Sequence, residues 1–229
     1  MAAMDRDAIL AQVRLVTGIE AANVTDAEIV LLINAGVDEV SIADWWPFLE
    51  ASAAFNLVDS QQAYTFAVIA SDFEYAVALV DDDNDKTIPY IAPATFFHNY
   101  GNDTGNESTE FNFYTIWEES IYLTPTPEAN DTARLSLYYY KTGTQLSAGG
   151  TSPDWHEGFH QILVEYCKWK LWEREEYFAQ SERAFIMYAR YLNAMSAWYA
   201  RRAKRLPAVA GDGIFRPKAG DPNVPLLNN

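Results

Sequence analysis

The sequence is short of cysteine, of histidine and, over its first half, of positive charge. It has one cysteine, Cys167, and three histidines, His98, His156 and His160. A lone cysteine cannot close a disulfide within the chain, so nothing here asks for an oxidising compartment. No charged segment followed by an apolar core opens the chain, which reads as the lack of a signal peptide. No apolar run approaches the length needed to cross a bilayer. Residues 1–133 hold 3 Lys and Arg against 23 Asp and Glu, whereas residues 134–229 hold 13 against 9. So acidic a chain, of formal net charge −16, lacks the basic footprint of a generic nucleic-acid binder. It also lacks a G-x-S-x-G elbow, a P-loop, and any cysteine partnered for nucleophilic work.

What is present is apolar and aromatic. Of 229 residues, 49% are hydrophobic, with seven Trp and fourteen Tyr. That suffices for one large domain, or for a small domain inserted in another. Trp and Tyr at this level fill cores, and they are also enriched at subunit interfaces. The uneven charge suits head-to-tail contact between copies, or docking of the basic end on an acidic partner.

The chain centres on residues 114–140. Tyr114–Trp117 and Ser120–Thr124 flank Glu118-Glu119, and Ala133–Tyr140 follows a turn-rich segment. Leu135, Leu137 and Tyr139 alternate with Arg134, Ser136 and Tyr138, the period of a half-buried strand. The three runs predict an antiparallel meander with one apolar face, covered by helices that follow Pro153. Ahead of it, Asp5–Val16 reads as a helix stopped by Gly18. Thr25 and Glu28 form a capping box that opens a second helix, ending near Ile42. Glu50–Leu57, Gln62–Val68 and Phe73–Val80 read as strands. Asp81–Asp85 is a solvated loop tip, without the glycine and distal glutamate of a calcium loop. Ile88–Phe97, with two prolines, reads as an edge strand leading into a short helix or turn. After a Gly/Ser/Thr-rich connector at 142–153, two long helices are predicted. One runs from Asp154 to about Glu176 and the other from about Gln180, with Ser181 as cap, to Arg205.

The expected fold is therefore α+β. A helical bundle is built from the N-terminal hairpin (1–43) and the C-terminal helix pair (154–205), with an antiparallel β unit (44–153) inserted between them. Residues 206–229 differ, carrying four prolines and three glycines. That composition precludes ordinary secondary structure. Phe215, Val224, Leu226 and Leu227 are too dispersed to form a core, and Arg216 and Lys218 lie among them. The segment reads as an extended arm that docks on a partner or neighbouring copy. Arg201, Arg202, Lys204 and Arg205 form a basic cluster just before it. They complement the helix dipole and offer an electrostatic contact to an acidic partner.

One motif points to chemistry. His156, Glu157 and His160 match H-E-x-x-H, which on a helix places two imidazoles one turn apart to hold zinc, with the glutamate as general base. Against it, the match falls at the very start of its helix and Gly158 weakens helix there. The structural alternative is a helix first turn, with Asp154 as cap and Glu157 as its capping-box partner. His98 reads as structural. No cofactor is expected.

In order along the chain, several short pieces carry a likeness. They are Trp46-Pro47-Phe48-Leu49, Tyr64 to Phe66, Pro93 to Phe96, Ile121 to Pro127, Leu135 to Tyr140 with Leu146, and Pro153-Asp154-Trp155 leading to His160, Leu163 and Tyr166. Together with the N-terminal hairpin they resemble the head-to-tail adaptor, or head-completion, proteins of tailed bacteriophages, over roughly residues 5–205. Where such proteins carry a proline after the tyrosine run, this chain has Thr142-Gly143. The resemblance implies a non-enzymatic virion protein of the neck, assembled in the host cytoplasm. It would form a ring, dodecameric by that likeness, docked on the portal, extending the DNA channel and presenting a platform to a tail or nozzle protein. The alternative function is a zinc-dependent hydrolase at His156, Glu157 and His160.

Overall fold

A computed structural model describes residues 3–101 and 105–205, the last three by backbone alone. Among the described residues the fold is α+β, with six α-helices, two antiparallel sheets and one short parallel strand pair. Helix α1 (Arg6–Thr17) is capped by Asp5, which accepts from the Ala8 amide, and it ends at Gly18 in the left-handed region. Helix α2 (Asp26–Ile42) opens with both halves of the Thr25–Glu28 capping box in place. Helix α5 (Gln161–Arg174) is buried nearly all round by Ile162, Leu163, Val164, Tyr166, Cys167 and Leu171. That is why its sequence shows little one-sided patterning. Helices α1, α2 and the long α6 (Phe178–Arg205) all pack on it. At Gly36 the α2 backbone comes so near α5 that an added methyl would lie 2.8 Å from the Tyr166 ring.

Two separate apolar cores result. The helical core joins Ile9, Val13, Ile29, Ile33, Val37 and Val40 to the inward face of α5 and to Tyr188 and Met195 of α6. It also draws in Trp46, Leu49, Leu146 and Trp155 from the flanking segments. The connector after Lys141 is thus held firmly. Leu146 is fully buried and its amide donates to Asn34 Oδ1 at 2.8 Å.

The second core lies between sheets. The strands are β1 (Glu50–Leu57), β2 (Ala63–Thr65), β3 (Phe73–Asp81), β4 (Lys86–Ile88), β5 (Glu107–Ser108), β6 (Phe113–Trp117), β7 (Ser120–Thr124), β8 (Thr126–Pro127) and β9 (Asp131–Lys141). One sheet has the order β1-β9-β3-β4, a second β2-β7-β6, and β5 pairs with β8. The expected three-strand meander is therefore corrected. β6 and β7 form a hairpin, but β9 leaves them and lies between β1 and β3, with Leu137 opposite both Ala53 and Leu79. The expected helical cover is corrected too. Leu135, Leu137 and Tyr139 of β9 pack with Ile121, Leu123, Tyr64 and Tyr114 of the other sheet. The apolar face of one sheet satisfies that of the other, leaving the helices free to build their own core. Gln62–Val68 is strand only through Thr65, after which α3 (Phe66–Ile69) follows. Helix α4 (Pro93–Tyr100) starts on a proline at a position where its missing amide is harmless.

A polar bolt closes the open end of the β core. Arg134 donates from Nε to Asp81 Oδ1 at 3.2 Å and from a terminal nitrogen to Oδ2 at 3.0 Å, both side chains being buried. It also reaches the Thr109 carbonyl and lies over the Phe111 ring. Burial would push the Asp81 carboxyl up, but the hydrogen bonds and charge of Arg134 outweigh it and hold the group below its ordinary value.

Candidate interaction site

The H-E-x-x-H residues occupy a corner. His156 caps a 3-10 turn (Glu157–Phe159) by accepting from the Gly158 amide, and His160 stands at the junction with α5. Asp154 is not the cap expected from sequence. Its carboxylate accepts from the Thr144 amide at 3.0 Å and meets Lys141 at 3.4 Å, fastening the connector. Nor does Ser181 cap α6. It lies inside that helix, buried, and its hydroxyl donates to the Trp169 carbonyl.

His160 is buried, with both ring nitrogens engaged. Nδ1 accepts from the Met4 amide at 3.0 Å, and Nε2 lies 3.1 Å from the Trp155 carbonyl. Nδ1 also lies 2.9 Å from the Met4 carbonyl. Burial pushes the imidazole below its usual value, against the opposing pull of these carbonyls. His156 is exposed, and its ring lies against Trp198 of α6, centroids 4.7 Å apart. Its amide donates to the Tyr199 hydroxyl at 3.1 Å. A zinc ligand needs a free imidazole lone pair aimed at a shared point. His160 has none to give, and among the described residues no group of three or more His, Cys, Asp or Glu is arranged to hold a metal. The pair instead clasps the N-terminus to α5 and the corner to α6.

The basic cluster lies at the far end of α6. Arg201 and Arg202 are exposed; Arg201 Nε donates to the Ala197 carbonyl and the Arg202 guanidinium lies over Trp198 at 5.2 Å. The side chains of Lys204 and Arg205, together with Phe215, Arg216, Lys218, Val224, Leu226, Leu227 and the whole of 206–229, lie outside the described residues. Two further arginines, Arg183 and Arg190, share the outer side of α6 and were not singled out from sequence. Their seven-residue spacing, two helical turns, was the available signal.

Cys167 is fully buried and burial pushes its thiol well up, so it is an inert packing group rather than a nucleophile. Among the described residues no helix is long and apolar enough to cross a membrane.

Among the described residues, exposed cations and aromatics share the outer helix α6, the make-up of a contact surface. The family comparison agrees: a family model described as SU10 adaptor protein matches residues 4–211, spanning both cores. The chain belongs to this family of phage adaptors, and so to the components of the virion. No curated protein matches it.

Proposed function

We propose that the protein is a non-enzymatic ring component of the phage neck, joining the portal to the tail and extending the channel through which DNA passes. The observation that carries this reading is the adaptor-family match across residues 4–211. The charge distribution supports it. A wall drawn from the acidic residues 1–133 repels a polyanion, so DNA slides past without being gripped. In this reading residues 1–43 and 154–205 form the bundle and residues 44–153 the inserted β unit. The arm 206–229, led by Arg201, Arg202, Lys204 and Arg205, is the portal contact, and a tail or nozzle protein binds the opposite side.

The test is electron microscopy of the full chain mixed with the portal of its phage. A ring of copies beneath the portal is expected. Truncation after Arg205 should abolish attachment while leaving the circular dichroism spectrum and melting temperature unchanged. Undiminished attachment of the truncated chain would reject the arm's role, and failure of the full chain to join any portal would reject the neck assignment.

A further inference from the structure

Ion pairing in this chain is uneven. Arg6, Arg14, Arg134, Lys141, Lys168, Lys170 and Arg174 each have a carboxylate within 4.0 Å. Arg183, Arg190, Arg201 and Arg202 of α6 have none among the described residues, although acids outnumber bases two to one in the sequence. Nor do the side chains of Arg183 and Arg190 make a hydrogen bond among the described residues. Beside them on α6 stands Ile186, 56% exposed, while Phe178 and Phe185, 67% and 45% exposed, lie on the flank of the helix turned the other way. A groove of about 240 Å³ between α5 and α6 opens at Arg183, lined also by Lys168, Trp172, Gln180, Met187 and Glu165, the last neutralised by its ion pair with Lys168. Unpaired guanidiniums beside an exposed isoleucine and a groove that holds Trp172 are the composition of a protein interface, whereas a nucleic-acid surface does not strand large apolar side chains in water.

The same chain carries a surface of opposite character. At the β6–β7 turn Trp117 is 49% exposed, and it meets Phe97 of α4 with centroids 6.2 Å apart. The start of α3 is held at this turn, because the Phe66 amide donates to the Glu119 carbonyl, and Val68 of the same short helix is exposed. Glu118 and Glu119 form the tip, exposed and with no cation within 4 Å among the described residues. This patch belongs to the β core and α6 to the helical core, and among the described residues no hydrogen bond or ion pair links the two patches.

We infer that the α6 face around Arg183 and Arg190 docks on the β6–β7 tip of a second copy, with Trp117 entering the α5–α6 groove and Glu118 and Glu119 meeting the arginines. The contact is heterologous, using two different patches, and such a contact builds a ring when the rotation between successive copies closes. It also lays the free cations of one copy on the acidic half of the next, offsetting the repulsion between chains of net charge −16. The inference names the contact within the ring proposed above and rests on that reading for its setting.

The test uses the full chain without other phage proteins, followed by sedimentation across a concentration range. The wild type should self-associate and do so less at high salt. Arg183→Glu with Arg190→Glu should weaken association about ten-fold or more, as should Glu118→Lys with Glu119→Lys, while both variants keep the wild-type melting temperature. Mixing the two variants should restore association, because each supplies the charge the other has lost. Either of two results would overturn the contact: a wild type monomeric at every concentration, or variants that associate like the wild type. Variants that fail singly and are not rescued by mixing would overturn the pairing of these two patches. A chain that self-associates as described yet never joins a portal would leave the contact standing and remove the neck assignment. A ring on the portal that is indifferent to the arginine substitutions would do the reverse.

Discussion

The helical core and the β core are held together differently. The helical core is closed by apolar contact from Ile9 through Met195, with ion pairs only round its edge: Arg14 with Asp26 and Arg174 with Glu28 outside, and Lys168 covering the buried Glu165. The β core is apolar inside, but its ends are secured by buried or half-buried polar bonds. Arg134 meets Asp81, and the Tyr139 hydroxyl donates to Asp72 at 2.8 Å. The reason is geometric. A helix satisfies its own backbone and needs only a greasy stripe. β9 must find β1 and β3, each more than fifty residues away, and side-chain bonds fix which register it takes.

The strongest way to break this contrast is to remove the guanidinium. Arg134→Ala strands Asp81 without its partner and should cost about 3–5 kcal/mol in urea unfolding. Arg134→Met with Asp81→Leu should recover most of that, since neither charge remains to be desolvated. If the single variant costs under about 1 kcal/mol, the polar bolt is not what closes the β core. For the helical core the matching lesion is steric. Gly36→Ala drives a methyl into the Tyr166 ring and should cost about 1–3 kcal/mol, with the near-ultraviolet signal of the helical aromatics altered.

A smaller effect separates the cores by pH. The folded-state pKa of His160 lies below its ordinary 6.5, so the unfolded chain takes up a proton first. Its contribution to stability is complete above that ordinary value and declines as pH falls through it toward the folded value. Asp81 is held below its ordinary 3.8, so its contribution is complete above that value and disappears only in stronger acid. Acid melts should show a first loss in the mildly acidic range, missing in His160→Asn, and a second that is missing in the Arg134→Met, Asp81→Leu double variant. One common transition in all variants would show that the cores do not differ this way. The smallest change expected is a gain. Thr115 in β6 is fully buried and its hydroxyl finds no hydrogen-bond partner among the described residues, so Thr115→Val should stabilise by about 1 kcal/mol in the same urea titration. A loss would mean that the hydroxyl is satisfied in solution.

Legibility in the sequence followed the same division. The first two helices, with Gly18 as a stop and Thr25–Glu28 as a capping box, were readable because their signals lie within a few residues of each other. The strands Glu50–Leu57 and Ser120–Thr124 were readable for the same reason. Their partners were not. Nothing near β9 says that it skips the adjacent hairpin, and its alternation fits either sheet. His156 and His160 carry a metal pattern whose meaning depends on the Met4 and Trp155 carbonyls, which no spacing rule can see. Arg183 and Arg190 look like ordinary solvated helix residues until their want of a carboxylate is visible in three dimensions.

By itself the sequence determined most of the elements, the acidic and basic halves and the likeness to phage adaptors, because propensity, charge and motif order are properties of neighbours along the chain. Only the tertiary structure decided that the two sheets cover each other, that Gly36 admits the Tyr166 ring and that both nitrogens of His160 are occupied. Each of these depends on atoms that approach within a few ångströms from distant parts of the chain, and at that range shape and desolvation, rather than local preference, select the contact.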